Sequence, residues 1–351
     1  MRFTVEILLL GSAIFPAQAA FKGMYIFGDG LSTTNDNTGG SSSFYGQRYS
    51  NGRVWVEVLA QRQGLTISNN LSGFDWSSSA LVTNVQNFTI SPAIATNALF
   101  IIWVNNSDLY DETELGDTNM TEWMNAIDQS QTNHFKAVTN LYAKGVRTLI
   151  MPNAVDVSTI PLFDAYPNTN FIHQRCIDYN IAFSNTVSRA VSSCPGLKIY
   201  VPDFFALLTN VLAHPANYGL TNALFNGRST SAAQTISPLT VTNNPGTNYI
   251  YWDATDPSAK FHAVIGDVAQ QLISPVQISG ITAFTGSNRL DLVNVPVGLN
   301  GFVDGCTNMA TSSWSNVQNI TSTNNVQSVF VPATGPLQFY RLRFPYAWSF
   351  P

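Results

Sequence analysis

Charged side chains are scarce in this chain. The 16 Lys and Arg and 21 Asp and Glu make up 11% of 351 residues, with a net charge of −5, where roughly 25% is typical. A row of phosphates would find nothing to neutralise it, which excludes a basic nucleic-acid binder. Cysteine is nearly absent as well. Cys176 and Cys194 stand near the two ends of one expected helix, 170–193. Eighteen helical residues span roughly 27 Å, against a limit of about 7 Å between the Cα atoms of a disulfide. Cys306 lies in a different segment, so the expectation is thiols packed as small hydrophobes. The four histidines are not spaced with each other or with cysteine as metal ligands are, and no cofactor is expected. After the first twenty residues no apolar run reaches the roughly 20 residues that cross a bilayer. Internal repeats, low-complexity tracts and charge runs are also missing.

Neutral polar residues take the place of the charge, with 34 Asn among them. Hydrophobic residues at 45% and aromatics at 12% are enough for a packed core and argue against disorder. The length suggests about two domains. Residues 1–20 read as a targeting segment: Arg2 supplies a positive start, 7–15 is an apolar run, and Ala17-Gln18-Ala19 is a small-x-small cleavage site. The mature chain is expected to begin near Ala20 or Phe21 and to be exported, either secreted or held in the periplasm or at the cell surface.

From 21 to 273 short apolar runs alternate with helical patterns. Strands are expected at 24–27, 98–103, 147–151 and 198–201, and helices at 54–62, 121–142 and 170–193. A closing helix is expected at 256–272, with Pro257 in its first turn. Uncharged strands between helices predict a three-layer α/β domain with a parallel sheet covered on both faces. From 275 to 351 the helical period disappears. Runs such as 289–293, 326–331 and 339–344, separated by Gly, Asn, Ser and Thr, predict a small C-terminal all-β sandwich that mediates attachment or interaction. Trp314 and 339–345 are expected to fill its core.

The first strand runs directly into Gly28-Asp29-Gly30-Leu31-Ser32, at the kind of strand end where open α/β sheets place their chemistry. The block Phe27 to Ser32 resembles the F-G-D-S-L-S motif of the GDSL, or SGNH, lipases and esterases. Trp252-Asp253-Ala254-Thr255-Asp256-Pro257-Ser258 resembles that family's closing W-D-x-x-H-P-T. The segments 51–60 and 100–109 sit in family-like places and order. The resemblance covers about 21–273 and implies hydrolysis of acyl esters. A serine of the first block would attack the carbonyl, a histidine of the last block would take its proton, and the aspartate three residues earlier would orient that histidine.

The chain departs from the motif at the reacting atoms. Gly30 stands at the nucleophile position and Asp256 at the base position; only the orienting aspartate is kept, as Asp253. In the oxyanion blocks, Ser107 falls where an Asn belongs, with Asn106 one residue away, and Gly73 or Asp75 falls nearest the Gly donor. Losing Ser or His from such a unit costs about 10⁶ in turnover, and losing both costs little more. Three readings follow. The domain has lost hydrolysis and serves as a binding module or scaffold for a small ester or saccharide, with Asp29 and Trp252 as candidate contacts. Alternatively, a rebuilt hydrolase uses Ser32 as nucleophile with Asp256 or His262 as base, although a hydroxyl capping its own turn is the plainer role for Ser32. Alternatively, Asp29, Asp253, Asp256 and Asp108 gather a divalent cation. His134, His173 and His214 read as structural, as do Trp55, Trp76, Trp103 and Trp123. Asp111, Glu112 and Glu114 read as a solvated loop.

Overall fold

The computed structural model describes residues 21–38, 42–116, 118–225, 227–237, 239–241, 245–308, 313–333 and 338–346. The expected leader, 1–20, lies outside the described residues. The first domain runs β1 (Met24–Gly28), α1 (Trp55–Gln63), β2 (Ile67–Ser72), α2 (Ser78–Asn87), α3 (Pro92–Ala95), β3 (Leu99–Trp103), α4 (Asn105–Glu114), α5 (Met120–Ala143), β4 (Thr148–Ile150), α6 (Thr169–Ser193), β5 (Lys198–Tyr200) and α7 (Phe204–Ala213). A short hairpin, β6 (Ala223–Phe225) and β7 (Arg228–Thr230), then α8 (Ala232–Thr235) and α9 (Ala259–Ile273) complete it.

The five strands β1 to β5 form one sheet in the order β2-β1-β3-β4-β5, and every neighbouring pair is parallel. The chain leaves β1 toward β2, then crosses back over β1 to β3 and continues outward. Right-handed crossovers therefore put α1 on one face and α2, α5 and α6 on the other. Helix α9 packs on α1, while α5 packs between α2 and α6. Both faces being covered, β3 (LFIIW) is buried along its whole length. The strand order reverses between β1 and β3. Their carboxyl ends diverge there and leave a crevice.

The closing helix starts later than the sequence pattern suggests. Asp256 and Pro257 precede it; Ser258 is its N-cap, its Oγ accepting from the Phe261 N–H at 3.3 Å. A residue before proline is driven out of the helical region, and Asp256 uses its carbonyl to accept from the Trp252 N–H at 2.8 Å. Asp111, Glu112 and Glu114 lie in helix α4 and not in a loop. The short polar run that looked irregular is one face of that helix.

The C-terminal region contributes β8 (Gln277–Phe284), β9 (Ser287–Val293), β10 (Gly301–Cys306), β11 (Ser315–Ile320), β12 (Gln327–Pro332) and β13 (Phe339–Arg343). They form two three-stranded sheets, β12-β9-β8 and β11-β10-β13, antiparallel throughout. Leu290, Leu292, Val303, Ile320, Val331 and Phe344 form a core between them, separate from the main one. Trp314 is not part of this core; its ring stacks on the Arg341 guanidinium, 4.6 Å away. The cysteines Cys176, Cys194 and Cys306 are buried thiols.

Arg62 at the end of α1 ties the two regions together. Its carbonyl accepts from the Val297 N–H (3.0 Å) and from Asn325 Nδ2 (2.9 Å). Its side chain donates to Asp267 Oδ1 of α9 at 2.8 Å, a pair almost wholly removed from water. Removing one partner of such a pair leaves a buried charge. Asp267→Ala should lower the urea unfolding midpoint by the equivalent of about 3–5 kcal/mol, and an Arg62→Met/Asp267→Leu double variant should recover most of it.

Candidate active site

The site is built where β1 ends beside β3. The Asp29 N–H donates to the Trp103 carbonyl at 3.0 Å, extending the β1–β3 ladder by one bond. The Asp29 carboxyl then folds back, and Oδ1 accepts from the Leu31 N–H at 3.0 Å, capping a short 3₁₀ turn over Gly30–Ser32. Gly30 does not occupy the left-handed region, so its backbone does not require glycine. A Cβ added there would lie 3.3 Å from Cδ2 and 3.5 Å from Cα of Phe74. The Phe74 ring is 45% exposed and has room to yield. Gly30 offers no side chain to the crevice, and Phe74 packs against the turn there.

Asp253 and Asp256 face the same crevice from a closed turn. Asp253 Oδ1 accepts from the backbone N–H groups of Thr255 (3.0 Å) and Asp256 (2.7 Å). It therefore organises its own loop; there is no imidazole for it to orient. The Thr255 hydroxyl donates to Asp256 Oδ2 at 2.9 Å. Burial pushes Asp256 well above the usual carboxylate range, and the neighbouring Asp253 charge pushes it further. Burial also raises Asp253. Asp29 is raised to about 7, mainly by burial, against the pull of the Leu31 N–H and the Asn106 amide. Asp29, Asp253 and Asp256 are thus all raised above the usual carboxylate range by burial.

The oxyanion candidates separate clearly. Asn106, at the start of α4, accepts through Oδ1 from the Val155 N–H at 3.1 Å. That contact fixes which way the amide points. Its Nδ2 is left buried beside Asp29 with no well-formed hydrogen bond, as a donor awaiting an acceptor would be. The Gly73 N–H is already used, donating to the Gly28 carbonyl at 3.3 Å. Gly73 has a packing reason to be glycine: a Cβ there would come within 2.5 Å of Trp76 Nε1. Asp75 is exposed. Ser107 is buried.

The geometry overturns several expectations. Ser32 neither caps its turn nor faces the crevice; its buried Oγ accepts from Trp55 Nε1 at 3.1 Å, while the capping role belongs to Asp29. His262 is buried, and its Nδ1 accepts from the Trp55 N–H at 3.3 Å; burial lowers it to about 3. Trp55 thus engages both groups, and they do not form a nucleophile–base pair. Trp252 is fully buried, its Nε1 donating to the Ser43 carbonyl at 2.7 Å. A large ring with one polar atom has been taken inside, where it pins a loop and offers no face to a ligand. Asp108 points away from the acids, accepting from the Ser78 N–H (2.9 Å) and Ser130 Oγ (2.5 Å). Among the described residues no group of three or more metal-ligating side chains converges. Two other Ser, Asp and His groupings are found among the described residues: in one, buried Ser130 Oγ donates to Asp108 Oδ2 at 2.5 Å and lies 3.4 Å from His134 Nδ1, and the other centres on Asp156. Asp156 accepts from Ser158 Oγ at 2.6 Å and contacts His173 Nδ1 at 2.5 Å. The carboxylate stands in the middle, so the histidine cannot reach the hydroxyl.

Three site residues gave no motif signal: Phe74, Thr255 and Tyr110. Tyr110 lies one helical turn past Asn106, a spacing that puts both on one face. With Leu31, Trp103, Thr255, Phe204 and Phe261 it lines a narrow apolar cleft beside the turn, which has room for about one water molecule.

The model of the GDSL-like lipase/acylhydrolase family matches residues 24–269. A GDSL esterase/lipase of Arabidopsis thaliana is 29% identical over 141 residues, covering 37% of this chain and 40% of that protein. Another from the same plant is 21% identical over 329 residues, covering 73% and 87%. The chain spans about 40% of the length of the first of these relatives. Among solved structures, an alpha/beta hydrolase from the metagenome of Lake Arreo superposes with a TM-score of 0.44 at 15% identity, covering 74% of this chain and 97% of that one. Axe2, an acetylxylan esterase from Geobacillus stearothermophilus, superposes with 0.43 at 14% identity, covering 72% and 94%.

The raised acids set the sign of a pH effect. Between pH about 4 and 7 the folded state keeps a proton on Asp29 that the unfolded chain releases, its value moving from 3.8 to about 7. Stability from this group is therefore complete below about pH 4 and is lost as pH rises through 7. His262 acts in the opposite direction, so the test is a difference. Asn at position 29 can still accept from Leu31, and Asp29→Asn should gain stability relative to the parent as pH rises from 4 to 7, by at most about 4 kcal/mol. Urea titrations at stepped pH measure this.

Proposed function

The chain belongs to the GDSL-like lipase/acylhydrolase family, and from that premise we propose that it is a member that has lost ester hydrolysis, exported from the cell and kept for binding or as a scaffold. The observation that carries this reading is Gly30: the turn after β1 offers no oxygen to attack a carbonyl, and Phe74 leans over the vacancy. Three further features support it. Asp256, a carboxyl where the resemblance puts an imidazole, is raised above the usual carboxylate range by burial and by the neighbouring Asp253 charge. The Gly73 N–H is committed to β1, which leaves Asn106 Nδ2 as the donor available for an oxyanion. The cleft beside the turn is constricted, with room for about one water molecule. An intact oxyanion hole with binding alone retains roughly 10³–10⁴ over water, and here that hole is reduced. Export rests on the composition of residues 1–20. The ligand class that the crevice would take is a small ester or saccharide.

One observation favours a second reading. Thr255 Oγ1 lines the cleft and donates to Asp256 Oδ2 at 2.9 Å, a hydroxyl aimed at a carboxyl whose affinity for protons is raised. It would act as a nucleophile only where Asp256 is ionised.

Turnover of p-nitrophenyl acetate decides between them. The unmodified protein should match the buffer blank. Gly30→Ser and Asp256→His should each stay near it, since the two residues act as one unit. Combined, with Phe74→Ala to clear the ring, they should raise the rate by at least about 100-fold. Hydrolysis by the unmodified protein that vanishes in Thr255→Val, or labelling of Thr255 by a fluorophosphonate, would overturn the silent reading in favour of the second.

A further inference from the structure

The outer face of the β12-β9-β8 sheet is laid out by its register. Phe284 and Pro332 flank Ser287, Thr282 and Phe330 flank Arg289, and Gly280 and Ser328 flank Asp291. Side chains alternate along each strand. These residues therefore point outward, while Leu290, Leu292, Val329 and Val331 point into the sandwich core. Phe284 and Phe330 are 48% and 56% exposed. Their rings lie 6.0 Å apart at 52°, meeting across the central strand as a bent apolar strip. Beside them is a set of polar groups. Asp291 Oδ1 accepts from Ser328 Oγ at 2.7 Å, and the Asp291 carboxylate is paired with Arg289 at 3.1 Å. The charges cancel, and both side chains remain more than a third exposed. Gly280 keeps this corner open, since a Cβ there would already touch Asp291 Oδ2 at 3.3 Å.

We propose that this face binds an uncharged, hydroxyl-rich polysaccharide chain, whose sugar faces stack on Phe284 and Phe330 while its hydroxyls exchange hydrogen bonds with Arg289, Asp291, Ser328 and Thr282. The chemistry disfavours the other occupants. Two half-exposed phenylalanines present about 200 Å² of ring surface, against the roughly 800 Å² per partner of a stable protein interface, so a second copy of the chain finds too little to hold. A lipid surface would have to bury the Arg289–Asp291 pair at the centre of the same face without new partners. A charged polymer has no net charge to meet. A pyranose ring has what this face lacks and complements what it has: an apolar flank of C–H groups bordered by donors and acceptors. The site lies on the sandwich, outside the crevice of the first domain, and does not depend on whether that crevice hydrolyses anything.

The test is affinity electrophoresis of the full chain in gels containing hydroxyethyl cellulose or galactomannan. At least one polymer should retard the protein, and Phe284→Ala/Phe330→Ala should weaken the apparent affinity by about tenfold or more. Both rings are exposed, so the double variant should unfold at the parent's temperature. Phe330→Tyr, which keeps a stacking face, should bind as the parent does. Retardation should persist in high salt, because no charge is exchanged. Lack of retardation by both polymers, retardation unchanged in the double variant, or retardation lost in salt would each overturn the proposal. So would sedimentation with phosphatidylcholine vesicles, or a concentration-dependent dimer, that the double variant abolishes.

Discussion

The reversal of direction between β1 and β3 is the constraint on which the rest of the molecule depends. Parallel strands that leave a switch point in opposite directions cannot be bridged there by a helix, so their carboxyl ends open into a crevice. The bond from the Asp29 N–H to the Trp103 carbonyl closes that end. The same residue's carboxyl caps the next turn. One aspartate thus fixes where Gly30 sits. The first residues of α4, which follow β3, bring Asn106 against Asp29 from the other side. The opening and closing blocks of the domain, more than two hundred residues apart, meet because α9 packs on α1.

A scaffold of this kind can outlive its chemistry. A hydrolytic serine is costly to keep: it must be exposed, activated and paired with a base whose protons come and go at neutral pH. Gly30 carries none of this, and burial and the neighbouring Asp253 charge raise Asp256 above the usual carboxylate range. Phe74 packs against the turn at Gly30, and aromatic rings line the narrow cleft beside that turn. Asp29 and Asp253 do capping and turn-forming work that the fold needs whether or not an ester is ever cleaved.

The second region shows a different use of the same side-chain types. In the first domain Trp55, Trp103 and Trp123 are consumed by packing. In the sandwich two phenylalanines remain in water on a face whose polar neighbours are mutually satisfied. A short antiparallel sheet has one buried and one wet face, and a ring on the wet face gains nothing from the core.

Much of this was legible in the residues. The uncharged strand runs, the helices between them and the loss of helical period near Ser274 all follow from local pattern, because covered strands and amphipathic helices write different periods into a sequence. The absence of a side chain at Gly30 could be read directly, since a missing side chain needs no coordinates to be missing. Tertiary structure decided where the polar atoms point. Ser32, His262 and Trp252 look available in sequence and are spent on Trp55 and Ser43. Asn106 looks one residue out of place and sets its amide beside Asp29. Thr255, Phe74 and Tyr110 matter only through neighbours distant along the chain. A hydrogen bond is a property of two directions in space, and only folding brings both groups together to set them.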